Sequence, residues 1–367
     1  MVMSSAPQQT TLWYDEQDNC LKVIDQTRLP FEVEVLALNT LEQAADAIVS
    51  MKVRGAPLIG ITAAFGVYLS VRTDSGSLRY ACESLLRTRP TAVNLRWALD
   101  RMYNSLKDLP EQQLAPAALE LAQRLLAEDA AACGAIGDFG LDILTKLYQQ
   151  KRELQGQDTV LNILTHCNAG WLATGAWGTA LAPVYKAKLA GLPVHVWVDE
   201  TRPRNQGASL TAWELAQSSV PHTLITDNAG GHLMQHGQVD ICLVGSDRTT
   251  STGDVCNKIG TYLKALAAYD NLIPFYAALP VSTVDFEAAD GVSEIPIEER
   301  AADEVTHVQG IDDAGQLRRV QTSHPGTRVS NYGFDVTPAR LVTGLITELG
   351  VFPATVQGLL SLKIQIR

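Results

Sequence analysis

The spacing of apolar positions changes along the chain, and its first part predicts a small sheet followed by helices. Residues 11–36 contain short segments in which apolar and polar positions alternate, as in antiparallel strands. From Thr40 apolar residues repeat at helical spacing, and Gln43 can form a capping box with Thr40. The helix that follows Pro57 is apolar nearly all round, which predicts burial. Further helical patterns cover 75–87, 92–107 and 111–150. We therefore expect residues 1–155 to form a domain with a small β-sheet and a helical bundle.

Beyond Asp158 the pattern predicts a parallel sheet. Apolar runs with helical patterns between them occupy 160–166, 194–200, 223–227, 239–245 and 273–279. Strands that alternate with helices form right-handed crossovers and a parallel sheet. The predicted fold class is thus α/β, with a Rossmann-like catalytic domain over residues 156–367. Residues 281–330 are polar and rich in loops, and the segment ARLVTGLITELG predicts an amphipathic helix.

One stretch, VDICLVGSDRTTSTGDVCNKIGT from Val239 to Thr261, has the pattern of a phosphosugar site. Its apolar run predicts a buried strand, and Asp254 is placed to cap a helix that carries Asn257 and Lys258 in its first turn. Ligands of open α/β sheets bind beyond the carboxyl ends of the strands, and free amides at a helix N-terminus favour anions. The alternative is that Asp247 and Asp254 are turn and cap residues and that Lys258 faces water.

Several side chains with reactive or charged groups follow the predicted strands and share one rim of the sheet. They are Cys167, Asp199, Glu200, Arg202, Asp227, Asn228 and Asp247. A turn after Cys167 could expose its thiol to helix amides, although free cysteines are often inert core residues. An apolar wall would raise the pKa of Asp247 and suit it to general-acid catalysis. Gln206 is either a hydrogen-bond donor to substrate or an ordinary loop amide, and Arg54 stands either at a helix N-terminus or on the surface.

Composition narrows the class of protein. With 29 basic and 40 acidic residues the 367-residue chain has a formal charge of −11, which argues against a nucleic-acid surface. Its six cysteines include no Cys-x-x-Cys pair, and Leu233 between His232 and His236 is not the Glu of a zinc protease, so we expect no metal. The first parallel strand lacks a Gly-x-Gly-x-x-Gly turn, and no cofactor is indicated.

The composition also bears on where the protein resides in the cell. No apolar run reaches the length of a membrane span, and the start of the chain, MVMSSAPQQTTLWYDEQDN, lacks the pattern of a signal peptide. The scattered cysteines are consistent with reduced thiols. We therefore expect a cytoplasmic protein without membrane contact.

Seven segments together carry a family resemblance: RGAPLIG, RPTAVNL, THCNAG, DETRPRNQGASLTAWEL, VGSDRTTSTGDVCNKIGT, PIEER and FDVTPARLVTGLITE. From Trp13 to about Pro353 the chain resembles the methylthioribose-1-phosphate isomerases of methionine salvage, in the superfamily of the initiation factor 2B alpha, beta and delta subunits. The resemblance implies a homodimer in which Cys167 and Asp247 are the catalytic pair. The substrate-binding residues that it implies are Arg54, Gly55, Ala56, Arg89, Gln206, Asn257 and Lys258.

The implied reaction converts an aldose, 5-methylthioribose 1-phosphate, into the ketose 5-methylthioribulose 1-phosphate, with Asp247 as proton donor and Cys167 as its partner. The sequence does not decide between proton and hydride transfer. Two alternatives remain, a ribose 1,5-bisphosphate isomerase and a non-catalytic sugar-phosphate-binding regulatory subunit. The first would need a second cationic cluster, which the rim motifs lack. The chain departs from the family where Asn331-Tyr332-Gly333 replaces the usual Asn-Pro and where residues 310–330 are longer.

Overall fold

A three-stranded antiparallel sheet opens the computed structural model, which describes residues 10–366. Its strands are β1 (Leu12–Asp15), β2 (Cys20–Ile24) and β3 (Val35–Leu38), paired in that order. Leu12, Leu21 and Val23 are fully buried in the core beneath the sheet. The sheet predicted over residues 11–36 is therefore confirmed, whereas residues 1–9 of the segment that was searched for a signal peptide lie outside the described part.

Five helices follow, and their bounds agree with the predicted periodicity. They are α1 (Leu41–Val49), α2 (Ala56–Thr73), α3 (Leu78–Leu86), α4 (Val93–Leu106) and α5 (Glu111–Gln155). The Oγ1 atom of Thr40 accepts a hydrogen bond from the Gln43 amide at 3.3 Å. The Gln43 side chain reaches back to the amide of Asn39 at 2.6 Å, one residue before the predicted partner. This double cap fixes where α1 begins.

Helix α2 is the central helix of the N-terminal part. Among residues 10–366, its 18 residues form the one helix that is long and apolar enough to cross a membrane, which corrects the expectation that no apolar run reaches that length. However, 72% of α2 is buried inside the protein, where it packs against α1, α3, α4 and α5. Burial on all sides explains why its sequence shows no polar face.

The remaining elements alternate between strands and helices from β4 to β7 and then follow a less regular order. In chain order they are β4 (Leu161–Thr165), α6 (Ala182–Leu189), β5 (Val194–Asp199), α7 (Ala212–Gln217), β6 (His222–Ile225), α8 (Ala229–Gln235), β7 (Ile241–Val244), β8 (Arg248–Thr250), β9 (Val255–Lys258), α9 (Thr261–Asp270), β10 (Phe275–Ala278), β11 (Val284–Asp285), α10 (Gly291–Glu294), α11 (Asp303–Thr306), β12 (His307–Ile311), β13 (Leu317–Gln321), β14 (Phe334–Thr337), β15 (Gly344–Thr347), β16 (Gly350–Phe352) and α12 (Val356–Gln365). The predicted α/β fold class, with the small sheet and helices first and a sheet rich in parallel strands second, is confirmed.

The large sheet determines where a ligand can bind. Its strand order is β16-β15-β10-β7-β4-β5-β6, and all neighbours except β15 and β16 are parallel. The six parallel strands therefore follow the 3-2-1-4-5-6 order of a doubly wound sheet, whose direction of winding reverses between β4 and β7. In such sheets the ligand crevice opens beyond the carboxyl ends of the two strands at this switch point.

Two predicted helices are wrong. The segment with Asn257 and Lys258 is the strand β9, and the next helix, α9, begins only at Thr261. The predicted amphipathic helix ARLVTGLITELG contains β15, because Leu345 and Ile346 are buried in the large sheet. Short apolar runs fit either a buried strand or a helix, and here the pairing with β10 decides for a strand.

A second, four-stranded sheet has the order β11-β8-β9-β14 and follows the carboxyl end of β7. Residues 310–330, which we expected to be longer than is usual in the family, include most of the hairpin β12-β13, whose second strand is exposed throughout. At the other expected departure, the Asn331 amide group donates to the Ala301 carbonyl at 2.9 Å. Strands β9 and β14 are paired over four residues.

Candidate active site

The loops after β4 and β7 lie against each other at the switch point. The hydroxyl of Thr165, the last residue of β4, donates to the Leu243 carbonyl of β7 at 2.8 Å. One turn further on, a Cβ added to Gly245 would lie 2.9 Å from the Cβ of Ala169. This contact brings the loop of Cys167 beside the loop of Asp247, as the shared rim predicted.

Cys167 has a backbone conformation that residues other than glycine rarely adopt. Its φ of +66° lies in the left-handed region, and its side chain is buried. The Cys167 amide donates to Thr201 Oγ1 at 2.8 Å, and Thr211 Oγ1 donates to the Cys167 carbonyl at 2.7 Å. Strained residues that are held from both sides are concentrated at functional sites. The conformation supports a role for Cys167 beyond packing.

Asp247 is a carboxyl group inside a cluster of cations. Burial raises its pKa, while Lys258, Arg89 and Arg54 act in the opposite direction. The direction is the one that the sequence predicted. Burial also lowers the pKa of the Lys258 ammonium, and Cys167 and Asp247 oppose this shift. An acid with a raised pKa retains its proton to higher pH and is better suited to donate it.

Arg54 is held by the loop that carries Cys167. Its Nη1 atom donates to Asn168 Oδ1, and Nη2 donates to the Asn168 carbonyl at 2.7 Å. The Asn168 amide in turn donates to Glu214 Oε1 at 2.8 Å. Glu214 is fully buried, and burial raises its pKa to about 7. The sequence analysis missed Glu214, although an acid four residues after the apolar Leu210 at helical spacing is a signal that could have found it.

The N-terminus of α2 opens beside Arg54. Gly55 precedes the helix with φ +100°, and a Cβ there would lie 2.5 Å from the carbonyl oxygen of Ala173. Within residues 10–366, no side chain caps the first turn of α2, in which Pro57 has no amide hydrogen to offer. The uncapped turn leaves the Ala56 end of an 18-residue helix available to an anion.

Arg89 comes from the connection between α3 and α4. Its Nη2 atom donates to Glu298 Oε2 at 2.6 Å, whereas its buried Nε has no partner among the described residues. A cavity of about 30 Å³ is lined by Ala56, Arg89 and Asp247 among other residues. An unpaired N–H at a cavity is a donor that an anionic ligand can use.

The strand β9 places Lys258 and Asn257 differently from the prediction. Lys258 is buried, donates to the Gly333 carbonyl at 2.8 Å and lies 4.5 Å from the centre of the Phe334 ring. The Asn257 amide donates to Thr261 Oγ1 at 3.1 Å and lines neither the 30 Å³ cavity nor the larger one described next. The first amides of α9 donate to Asp335. The predicted anion site at this helix is therefore filled by a carboxyl group of the chain itself.

Gln206 and Arg54 line a larger cavity of about 370 Å³. Gln206 precedes a π-helical turn, Gly207–Thr211, and its buried Oε1 has no partner in the described part of the chain. The apolar wall of this cavity includes Leu29 and Met51. Cys167 lines neither cavity, so the site residues are divided between two adjacent spaces with Arg54 and the Cys167 loop between them.

One group of side chains has the composition of a metal site. Among residues 10–366, donor atoms of His166, Asp199 and Asp227 lie within 4.8 Å of one another. However, the Lys264 ammonium lies 3.2 Å from Asp199 Oδ2, and His166 Nε2 faces the Ile259 carbonyl at 2.8 Å. An ammonium ion already supplies the positive charge that a metal would bring, so we assign the group to an internal ion network.

Comparisons with known proteins agree on one family. The model of the Initiation factor 2 subunit family matches residues 52–354. The methylthioribose-1-phosphate isomerase of Methylorubrum populi is 60% identical over 354 residues, which cover 96% of this chain and 95% of that protein. The crystal structure of 5-methylthioribose 1-phosphate isomerase from Pyrococcus horikoshii is similar with a TM-score of 0.83 and 36% identity, covering 99% of this chain and 97% of that one.

A second solved structure carries a different name. The structure titled translation initiation factor eIF-2B, subunit delta, from A. fulgidus is similar with a TM-score of 0.76 and 37% identity. The match covers 96% of this chain and 99% of that one. Similar folds host different functions, so the fold alone does not separate an enzyme from a binding subunit.

Proposed function

Because the chain belongs to the Initiation factor 2 subunit family and, within it, to the methylthioribose-1-phosphate isomerases, we propose that it converts 5-methylthioribose 1-phosphate into 5-methylthioribulose 1-phosphate. The observation that carries the proposal is the partly buried Asp247 carboxyl, which lines the small cavity with Arg89 and whose pKa is raised despite three neighbouring cations. An acid and cations beside one crevice meet the two needs of a sugar phosphate: a proton for the ring and positive charge for the phosphate.

The phosphate is bound by groups from both halves of the chain. Arg54, the amides beside Ala56 at the start of α2 and the unpaired Nε of Arg89 supply donors. Lys258 adds a buried positive charge. Gly55 allows the close backbone approach that brings α2 to this place. A desolvated site of this kind strengthens each charge interaction with the phosphate and keeps water from the reacting carbon.

Asp247 donates the proton that opens the ring. The phosphate on the C1 oxygen prevents spontaneous ring opening, so the ring oxygen must be protonated as its bond to C1 breaks. Hydrogen then moves from C2 to C1, either as a proton through an enol phosphate or as a hydride, and the C2 hydroxyl becomes the ketone as its proton returns to the Asp247 carboxylate. Cys167 acts at C1 and C2. Solvent deuterium distinguishes the routes, since a product without deuterium at C1 argues against a freely exchanging base.

The larger cavity suits the rest of the sugar. Gln206 offers an unpaired Oε1 to a hydroxyl group, and Leu29 and Met51 offer apolar surface to a methylthio group. Two further arginines of this cavity are already paired, Arg204 with Glu304 at 2.8 Å and Arg319 with Asp303 at 2.5 Å. A second phosphate would have to break such a pair, which favours the methylthio sugar over ribose 1,5-bisphosphate.

The test is a product assay with both sugars. We expect turnover of methylthioribose 1-phosphate and not of ribose 1,5-bisphosphate. Asp247→Asn should lower kcat by about 100-fold to 10,000-fold with substrate still bound, because it removes the acid and leaves the phosphate donors in place. Cys167→Ser should also lose activity. If folded protein turns over neither sugar, the chain is a binding subunit; if Asp247→Asn stays active, the assignment of the acid fails.

We base the assembly on the resemblance, the location on the composition and the domain bounds on the sequence pattern. The protein forms a homodimer in the cytoplasm, with an N-terminal domain of residues 1–155 and a catalytic domain of residues 156–367. Light scattering on the purified chain measures its mass directly, and a monomer at micromolar concentration would contradict the dimer.

A further inference from the structure

Glu298 connects the loop on which it lies to the candidate active site. Its Oε2 atom accepts from Arg89 Nη2 at 2.6 Å, and its Oε1 accepts from Arg300 Nη1 at 2.9 Å. Its carbonyl accepts from the Gly333 amide at 2.8 Å, which ties the loop to the chain beside Lys258. The carboxylate is thus fixed between two guanidinium groups and cannot turn away from either without losing an ion pair.

The bond to Glu298 orients Arg89. With Nη2 on Glu298 and Nη1 3.9 Å from Met51 Sδ, the planar guanidinium has one nitrogen without a partner, the buried Nε. Leaving a buried N–H without a partner costs about 1–3 kcal/mol. Arg89 lines the same small cavity as Asp247, and Ile295 and Pro296 of the Glu298 loop line it too. The loop therefore closes one side of the space in which Arg89 offers this donor.

Glu298 also brings a negative charge close to Asp247. It opposes the effect of Arg89, Lys258 and Arg54 on that carboxyl. On its far side Arg300 also pairs with Glu304, which pairs with Arg204 as well, so one carboxylate there is shared by two guanidinium groups. The charge balance around Asp247 would change if Glu298 became neutral.

We propose that Glu298 is a positioning residue of this site, which directs Arg89 Nε toward the substrate phosphate and favours the proton-donating form of Asp247. The inference rests on the proposed function, because it assigns Glu298 a part in binding and proton transfer by that site. Glu298 acts through Arg89 and Asp247 and does not itself react with the substrate.

The chain provides a matched control. Glu299 is the next residue on the same loop, its side chain is exposed, and Glu299→Gln makes the same chemical change. In Glu298→Gln, the amide NH₂ group cannot accept a hydrogen bond, so one of the two guanidinium groups loses its acceptor. The KM for the substrate should therefore rise by about tenfold. Loss of the like charge should move the alkaline limb of the kcat/KM profile to lower pH by about half a pH unit or more. Glu299→Gln should match the wild type in both respects.

Glu298→Asp separates charge from geometry. The shorter side chain retains the charge, so the alkaline limb should stay near the wild-type position while KM rises. If Glu298→Gln and Glu299→Gln have the same pH profile and KM, the inference is wrong. If KM rises by a similar factor in Glu298→Gln and Glu298→Asp and the alkaline limb of the kcat/KM profile moves in neither, the role of Glu298 is merely structural and the inference is wrong.

A second readout separates this inference from the proposed function. The Asp247 carboxyl can be titrated by carbon-13 NMR, with Asp247→Asn identifying its signal, and Glu298→Gln should lower its pKa. If the wild type fails to isomerise the methylthio sugar, the proposed function fails, and the titration still tests the effect of Glu298. If the wild type is active and the Asp247 titration is unchanged in Glu298→Gln, only the inference fails.

Discussion

Asn168 uses its polar groups to connect Arg54 with a buried acid. Its carbonyl and Oδ1 accept from Arg54, and its Nδ2 donates to Glu214 Oε1 at 2.8 Å and to Thr211 Oγ1 at 3.2 Å. Glu214 also accepts from the Trp171 and Leu172 amides, at 2.9 and 3.1 Å. An arginine held from two sides loses little entropy when it binds an anion. Asn168 thus holds Arg54 in place for the phosphate that we propose it binds.

We expect Asn168→Ala to weaken substrate binding more than it slows the reaction. The change removes one acceptor of Arg54 and leaves Glu214 without one donor. Hydrogen bonds to charged groups contribute about 1.5–3 kcal/mol, so KM should rise by about tenfold or more while kcat changes less. Steady-state kinetics measure both constants. Asn228→Ala, at an exposed position on the same rim, is the control, and equal KM values in the two variants would contradict the role of Asn168.

The sequence indicates which candidate residues follow the strands, but it does not indicate which side chains contact them. Cys167 and Asp247 follow predicted parallel strands, and the carboxyl ends of such strands meet at one edge. Glu214 and Glu298 are different. Their importance comes from burial and from partners far away in sequence, since Arg89 and Glu298 are 209 positions apart. Only the tertiary fold determines such contacts.

At the scale of elements, the start of α2 depends on Gly55. A side chain there would clash with Ala173, at 2.5 Å from its carbonyl oxygen and 2.6 Å from its Cα, and both are backbone atoms that cannot rotate away. Either α2 or the loop around Ala173 must then move. Arg54 and Ala56 would move with the helix, so both stability and binding should suffer.

We expect Gly55→Ala to destabilise the protein by more than backbone strain alone. A non-glycine residue with this φ costs about 1–3 kcal/mol, and the steric clash adds to that cost. Gly156→Ala is a matched control, because Gly156 has φ +95° but nothing within 4 Å of an added Cβ. Urea unfolding measures the two losses of unfolding free energy. Equal losses would mean that the contact with Ala173 does not constrain α2.

The elements that sequence predicted wrongly are short segments whose partners are distant. The first five parallel strands were predicted because each is an apolar run between helical patterns. β15 was not, since Gly344–Thr347 is four residues long and its pairing with β10 is not visible in the sequence. β9 was assigned to a helix because α9 follows it closely. It pairs with the three-residue strand β8 just before it and with β14, which lies about 80 positions later.

At the scale of the whole molecule, the partly buried Asp129 and the fully buried Glu214 link stability to pH. Burial raises the pKa of Asp129 to about 7, and that of Glu214 to about 7. Asp129 is on α5 and accepts from the Gly175 amide at 2.6 Å. A raised folded-state pKa means that the folded protein binds protons more tightly than the unfolded chain. The stabilisation is full below the unfolded pKa and is lost as pH rises through the folded one.

We therefore expect Asp129→Asn to change how stability depends on pH. Between about pH 4 and 7, the wild type should lose up to about 1.4 kcal/mol per pH unit through this one group, because the unfolded chain releases the proton first. The neutral Asn lacks that contribution, so the difference in unfolding free energy between wild type and variant should shift with pH over this range. Denaturant unfolding at several pH values measures it, and parallel curves would contradict the raised pKa.

The Asp335 carboxylate of β14, which accepts from the amides at the start of α9, has a consequence for ligand selection. It accepts from the Gly260 amide at 2.7 Å and from the Tyr262 amide at 3.1 Å, and so behaves as a tethered competitor for any free anion. A ligand attached to the same chain acts at an effective concentration of about millimolar or higher, which a free metabolite must exceed to displace it. The fold thus brings two helix N-termini to the site region: Asp335 binds the amides of α9, whereas within residues 10–366 no side chain caps α2. Under the proposed function, we therefore expect the single phosphate of the substrate to bind at α2 and not at α9.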